Sequence, residues 1–293
     1  MNRDITMLTS SKQGYTNMNQ TGAPWQILAL RYSENKKRTR RDSFIFASKP
    51  DAPHTMDFFF WVLRRGEEVI VVDTGMDTAE AARRDRPILH APVDMLTSIG
   101  IDPADVKTLI ITHLHFDHAG CIDAFPNATI HIQAEELSFA TGAMMTNDAL
   151  RLPYALDPIT TIVTRLHKGD VVVHDGECAI AQGVTGHLLG GHSAGLMALT
   201  VQTRRGKLLL ASDVAHYYES VTKGLVFLIV VDAAKMVHGY NWLREHAEGD
   251  ISRILPAHDP LIRRVYPEVA PDIFDLSATP DHQLLDELGS SST

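Results

Sequence analysis

His113-Leu114-His115-Phe116-Asp117-His118 places four metal-capable side chains within six residues. His113 and His115 are two positions apart, so they would not share a helix face, where neighbours are three or four apart. On a loop leaving a strand end, both imidazoles can turn inward together with Asp117 and His118. Ala119-Gly120 follow, small enough for a chain that turns close to a site. Imidazole and carboxylate without thiolate suit zinc, iron, manganese or cobalt in a catalytic centre that keeps a position open for water. The plain alternative is a polar surface loop, and the downstream chain argues against it. His192 lies in Gly190-Gly191-His192-Ser193-Ala194-Gly195, Asp213 ends the apolar run Leu208–Ser212, and His258 follows Ile254-Leu255-Pro256-Ala257. Each stands just past a strand-like segment or in a glycine-rich turn, where folds commonly carry active-site groups. The seven candidates, five histidines and two aspartates, exceed the needs of one tetrahedral zinc and suit two metals sharing a bridge. Cys121 is a candidate soft ligand, but a small buried filler accounts for it better. His54, His90, His131, His167, His174, His238 and His246 lack such a setting and read as surface or structural residues. His187 lies close to the glycine-rich turn and gives way to His192, which that turn encloses.

The elements that must position these groups follow from local patterning. Thr108–Thr112 is apolar and β-branched and reads as the buried strand that delivers His113. Early strands are expected at Trp25–Arg31 and Ser43–Ala47, and a hairpin at Asp57–Leu63 and Glu68–Asp73. Further strands are expected at Thr129–Ile132, Asp170–Val173, Lys207–Ala211 and Ile251–Leu255, with two more inside Cys178–Thr203. Helical spacing marks Pro92–Ile99, stopped by Gly100, and Ala233–Ala247, with Met236, Val237, Tyr240, Leu243 and His246 on one side. Ala134–Ala140 starts as a helix. Phe139–Thr160 lacks a clear period and reads as an insertion over the site, or as a homodimer contact. Gly224–Val231 is the most apolar stretch, too short to span a membrane, and reads as a buried strand or pocket wall. The basic run Lys36–Arg41 reads as a solvated loop, with anchoring of an acidic substrate group as the weaker reading.

The 293 residues carry 44% hydrophobic and 22% charged side chains, an ordinary globular balance. A net charge of −9 disfavours nucleic acid or an anionic membrane as the main partner. Two cysteines make no disulfide framework, which points to a reducing cytoplasm. Residues 1–24 read as a polar N-terminal arm without a signal-peptide core, 25–279 as the catalytic domain, and 280–293 as a frayed polar tail.

The ordered set His113-x-His115-x-Asp117-His118, His192, Asp213, His258, with the turn Asp73-Thr74-Gly75, resembles the metallo-β-lactamase superfamily over roughly Gln26 to Pro267. That resemblance implies an α/β fold, a four-layer αββα sandwich with the metals at one edge of two sheets. It implies one metal on His113, His115 and His192, a second on Asp117, His118 and His258, and Asp213 as the bridge. Asp73 would hold the metal-binding loop. Thr112–Gly120 and Gly191–Gly195, with Asp rather than Cys at 213, look like the N-acyl-homoserine lactonase branch, whose members act in quorum quenching. That branch typically has Tyr three residues after the bridging Asp, supporting the substrate carbonyl. This chain has His216 there, followed by Tyr217-Tyr218, so the role passes to His216 or Tyr217, or the substrate differs.

The implied chemistry is hydrolysis. Two divalent ions, zinc first, with iron, manganese or cobalt as alternatives, bring a charge of about +4 and lower the pKa of a bound water from about 15.7 to near 7. The resulting hydroxide would attack the carbonyl of a small-molecule lactone or ester, His216 or Tyr217 would stabilise the oxyanion, and Asp117 would pass a proton to the leaving alkoxide. The same centre also suits another ester, a thioester, a phosphotriester or a lactam. A non-hydrolytic di-iron or metal-binding protein is the third reading, disfavoured because no flavin domain is visible and no ligand position is missing. Ser193 and Ser212 lack a serine-hydrolase elbow.

Overall fold

The computed structural model describes residues 22–285. Thirteen strands are present among them: β1 Gln26–Asn35, β2 Met56–Arg65, β3 Glu68–Val72, β4 Thr108–Ile110, β5 Thr129–Gln133, β6 Val171–His174, β7 Cys178–Ala181, β8 Val184–Leu188, β9 Met197–Thr203, β10 Gly206–Ser212, β11 Ile254–Pro256, β12 Glu268–Ala270 and β13 Ile273–Asp275. They form an eight-stranded sheet ordered β12-β13-β1-β2-β3-β4-β5-β6 and a five-stranded sheet ordered β11-β10-β9-β8-β7.

Strand periodicity explains why the sheets stack. Successive side chains of a strand point to opposite faces. Ile27, Ala29, Phe59, Trp61 and Leu63 of the larger sheet pack with Leu199, Val201, Leu208 and Leu210 of the smaller one. Their sequence neighbours Leu28, Leu30, Phe58, Phe60 and Val62 belong to the other buried cluster, with Met95, Leu96 and Ile162. Those last three come from helices, so β1 and β2 are buried on both faces. This is why Asp57–Leu63 reads as a continuous apolar run rather than an alternating one. Helices α1 Thr78–Arg83, α2 Pro92–Ser98, α3 Ala134–Ala140, α4 Asp148–Arg151 and α5 Leu156–Lys168 follow the larger sheet's strands in sequence. Helix α6 Tyr218–Lys223 precedes α7 Ala233–His246, which packs on β10. Helices, two sheets and helices again give the αββα layering expected from the sequence.

Several local expectations are corrected. Ser43–Ala47 is not a strand. Thr39 and Asp42 form a capping box around a short 3-10 turn at Arg40–Asp42, and Phe46 takes φ 57° with its side chain in solvent. Only Phe44 pairs, through a single bridge to Phe227. Cys178–Thr203 holds three strands rather than two, because Gly183 at φ +81° turns the chain between β7 and β8. The stretch read as an irregular insertion contains α4 and the start of α5, a 13-residue helix closed by left-handed Gly169. Its apolar residues Ile159, Ile162, Val163 and Leu166 fall at helical spacing, and an insertion read as far as Thr160 cuts across that pattern. Ile251–Arg253 is a 3-10 turn, leaving Ile254–Pro256 as the strand. Gly224–Val231 is irregular: Phe227 is buried, while Leu228, Ile229 and Val231 are exposed. In α7 the buried face is Met236, Gly239, Tyr240 and Leu243, with Val237 outside it. Leu285 is buried, so residues 280–285 are not wholly frayed. The expectations for residues 1–21 and 286–293 lie outside the described residues. No helix among those described is long and apolar enough to cross a membrane.

Candidate metal centre

The His113–His118 loop leaves the end of β4, and Asp73, just past β3, fixes its start. Asp73 accepts from the Thr112 backbone at 2.8 Å, from the Thr112 hydroxyl at 2.8 Å and from His118 Nδ1 at 2.7 Å. It does so from φ 61°, a left-handed conformation uncommon outside glycine. Ser212, at φ 46°, is the second such residue here and aims Asp213 out of the end of β10. Local strain of this kind persists where surrounding contacts over-determine it. His192 comes from the turn between β8 and β9, where Gly191 adopts φ +99° and an added Cβ would lie 2.6 Å from the Met236 backbone nitrogen. Only glycine meets both demands. His258 follows β11.

Asp213 is the point on which the cluster converges. Its Oδ2 lies 3.1 Å from His192 Nε2 and 3.7 Å from His113 Nε2. Its Oδ1 lies 3.3 Å from His118 Nε2 and 3.0 Å from His258 Nε2. His115 Nδ1 and His192 Nε2 are 2.9 Å apart. Asp117 Oδ2 lies 3.9 Å from both His118 Nε2 and His258 Nε2. The structure therefore brings all seven expected ligands together. Two groupings with ion-holding geometry are His113-His115-His192 and Asp117-His118-His258, while Asp213 groups separately with residues of each.

The far sides of several rings are tied to protein: His192 Nδ1 to the Ile229 carbonyl at 2.7 Å, His258 Nδ1 to the Asp57 carbonyl at 2.8 Å and His118 Nδ1 to Asp73. Such contacts fix ring orientation and tautomer in metal sites. The inward Nε2 atoms of His113, His118 and His258, with Asp213 Oδ1, are buried and have no hydrogen-bond partner. Buried polar atoms are normally satisfied, so this donor set fits a cation. Burial, then neighbouring imidazoles, holds His113 and His115 well below the ordinary histidine pKa, in the neutral form that binds metal. Burial works against ionisation of Asp213, but His216, His258, His118 and His192 outweigh it and keep the carboxylate charged.

Of the two expected oxyanion groups, only His216 faces the cluster. Its Nε2 lies 3.0 Å from Asp213 Oδ2, its ring stacks on Phe227 at 3.5 Å, and burial lowers its pKa to about 3. It also forms a possible ligand group with His192 and Asp213. Tyr217 points elsewhere: its hydroxyl donates to the Thr55 carbonyl at 3.4 Å and its ring packs on Phe44 and His54. His187, set aside in favour of His192, lies on β8 against Thr200. Cys121 contacts the Met76 carbonyl, and burial raises its thiol pKa to about 12, as expected of a filler.

Glu136 is a positioning residue that sequence reasoning missed. Wholly buried on α3, it accepts from Leu114 N at 2.9 Å, Ser193 Oγ at 2.7 Å, Gly195 N at 2.9 Å and Tyr154 OH at 3.2 Å. It fastens the His113–His118 loop to the His192 turn. In the sequence it is one of two adjacent glutamates on a short helix, with no mark to separate it from solvent-facing Glu135. Tyr32 adds a further tie, donating to the Asp117 carbonyl at 2.7 Å. Above the cluster is a cavity of about 310 Å³ whose wall includes Asp117, His115, His192, Asp213 and His216, and also Met56, Phe58, Phe227 and Ile229. The apolar segment before α7 thus supplies part of the pocket wall.

Known proteins resemble this chain in sequence and in fold. The N-acyl homoserine lactonase AttM of Rhizobium radiobacter is 31% identical over 180 residues, covering 57% of this chain and 64% of that protein. The match thus spans somewhat under two thirds of the relative's length. A solved quorum-quenching N-acyl homoserine lactone lactonase superposes with a TM-score of 0.70 at 23% identity, covering 88% of this chain and all of that one (100%). AidC, described as a dizinc quorum-quenching lactonase in complex with a product, superposes at 0.65 with 17% identity, covering 82% of this chain and 90% of that one. At these identities the superpositions speak to fold alone. The family model for the metallo-beta-lactamase superfamily matches residues 59–258, a span that runs from β2 to His258 and includes every residue of the cluster, and the chain belongs to that superfamily.

Proposed function

We propose that this chain is a dinuclear metal-dependent hydrolase that opens a lactone ring, with N-acyl homoserine lactones as the first substrates to test. The observation that carries this reading is the split of Asp213, with one oxygen toward His192 and His113 and the other toward His118 and His258. His113, His115 and His192 would hold one ion, Asp117, His118 and His258 the other, and Asp213 both. When bound, two divalent ions, zinc by preference, supply Lewis acidity and bring the pKa of water toward neutrality.

The chain's own residues do the rest. Asp73 and Glu136 hold the ligand-bearing loops. The apolar wall of Met56, Phe58 and Phe227 excludes bulk water and strengthens charge interactions within the cavity. His216 stands where a donor can face a carbonyl oxygen acquiring charge. Asp117 lines the cavity and is placed to hand a proton to the departing alkoxide. The metal-binding resemblance and the lactonase relatives support this reading together.

The experiment is proton-release kinetics on zinc-loaded protein with N-hexanoyl-homoserine lactone, an aryl ester, a thioester, a phosphotriester and a β-lactam. Ring opening of the lactone with kcat/KM above that for the other classes is expected. Turnover confined to a non-lactone class would overturn the lactone assignment, and no turnover of any class would overturn the hydrolase reading.

A further inference from the structure

Three arginines line the cavity, Arg38, Arg84 and Arg86. The guanidinium of Arg84 is committed to the protein. It contacts Glu80, donates to the Leu152 carbonyl at 2.8 Å and the Tyr154 carbonyl at 3.1 Å, and lies over the Phe116 ring. Arg86 differs. It is half-buried, and its guanidinium has no hydrogen bond or ion pair among the described residues. Arg38 donates through Nη2 to the Asp42 carbonyl and to Ser43 Oγ, and lies 5.7 Å from the Phe227 ring centroid. Its Nε is buried without a partner.

An unpaired, partly desolvated guanidinium is costly, and a second one in the same cavity adds repulsion. Burial and then Arg38 push the Arg86 pKa down from its ordinary value. Asp117 gives some relief, but its Oδ2 also lies 3.9 Å from His118 Nε2 and His258 Nε2. The guanidinium fork matches a carboxylate in two parallel hydrogen bonds. The volume of about 310 Å³ stands at the small end of ligand pockets, which favours a compact molecule over one with a long acyl chain.

Resting on the hydrolytic reading above, we propose that the preferred substrate is a compact lactone or ester bearing a carboxylate, which Arg86 and Arg38 grip while the reacting carbonyl lies over the histidine–aspartate cluster. An N-acyl homoserine lactone is neutral and offers the unpaired Arg86 guanidinium no counter-charge, so this selects a different member of the lactone class. It also turns the basic run at Lys36–Arg41 from a solvated loop into a part of substrate recognition, through Arg38 alone.

The test compares 5-oxotetrahydrofuran-2-carboxylate with its neutral carboxamide on the zinc-loaded protein. Wild type should favour the carboxylate in kcat/KM by about tenfold or more, the scale of hydrogen bonds to charged groups. Arg86→Gln and Arg38→Gln should shrink that ratio toward one, mainly through KM, and Arg86→Lys should keep part of it. Equal or reversed preference in wild type, or a ratio that survives both Gln substitutions, would overturn the proposal. If neither lactone opens, turnover across the five substrate classes above decides the hydrolytic reading, and calorimetry with the ring-opened 2-hydroxyglutarate decides the arginine grip by itself. Binding that weakens in Arg86→Gln, at unchanged metal content, supports the grip. Absent binding, or equal binding in the variant, rejects it.

Discussion

Asp117 and Asp213 are both carboxylates in one cluster, yet their surroundings differ. Asp213 has imidazole nitrogens on both oxygens at 3.0–3.7 Å, whereas Asp117 lies 3.9 Å from two imidazoles and lines the cavity. Asp213→Ala should therefore lower both metal content and rate. In the proposed mechanism, Asp117→Asn would keep an oxygen that ligates weakly and would remove the proton carrier. Its rate defect should grow as the leaving alcohol becomes more basic, since a poor leaving group needs its proton most. A series of esters graded by leaving-group pKa, with metal measured in each sample, tests this; an equal loss across the series would make Asp117 a ligand only. The two residues considered for the oxyanion separate as clearly. His216→Ala should lower kcat on the order of 10²-fold, as for a lost oxyanion donor. Tyr217→Phe should leave it near wild type, because that hydroxyl faces Thr55. A large kcat loss in Tyr217→Phe with metal intact would contradict this placement.

At the scale of elements, the centre depends on loops clamped to rigid strands and helices. Gly191→Ala would force a Cβ against the Met236 backbone at 2.6 Å and strain φ +99°, costing about 1–3 kcal/mol. Chemical denaturation should show that loss, and zinc affinity should fall with it because His192 moves. An unchanged unfolding midpoint would mean that the turn relaxes freely. Away from the centre, the Arg40–Asp42 turn is joined to α6 by Glu219, which meets Arg40 at 2.7 Å and His54 at 2.9 Å. Burial opposes its ionisation, but the hydrogen bonds from His54 and Arg40 outweigh that and lower its pKa to about 2. With an unfolded pKa of about 4.3, the stabilisation is complete above that value and fades as pH falls through it toward 2. It amounts to roughly 2 kcal/mol after allowance for solvent. The stability gap between wild type and Glu219→Gln should therefore narrow between pH 5 and about 2, as acid unfolding curves would show.

Local patterning and long-range packing divide what was legible in the sequence from what was not. The seven clustered residues stood out because chemistry confines each to a strand end or a glycine turn. Strands β1 to β5 were readable because their apolar runs are long. Helix α5 carries the helical spacing Ile159, Ile162, Val163, Leu166, but reading an irregular insertion as far as Thr160 cut across it. Glu136 and Arg86 left no local trace. One is defined by donors 18 to 59 residues away in sequence, the other by a cavity that exists only once the chain has folded.

For the whole molecule, two sheets bury a common core and bring together groups that span from Asp73 to His258. The unpartnered inward nitrogens and the Asp213 carboxylate give the folded chain a donor set that fits cations. Metal bound to the folded state alone raises apparent stability by mass action, by about 4 kcal/mol at a thousandfold excess over Kd. Chelation should accordingly lower Tm by several degrees or more and lower it less in Asp213→Ala, a comparison that calorimetry can make. In the proposed reaction one bridged pair of ions does the work. The direct measurement is a zinc titration of metal-free protein that follows bound metal and lactone opening in the same samples. Activity should rise with occupancy up to two ions per chain. Full activity at one ion per chain, with no gain from the second, would contradict it.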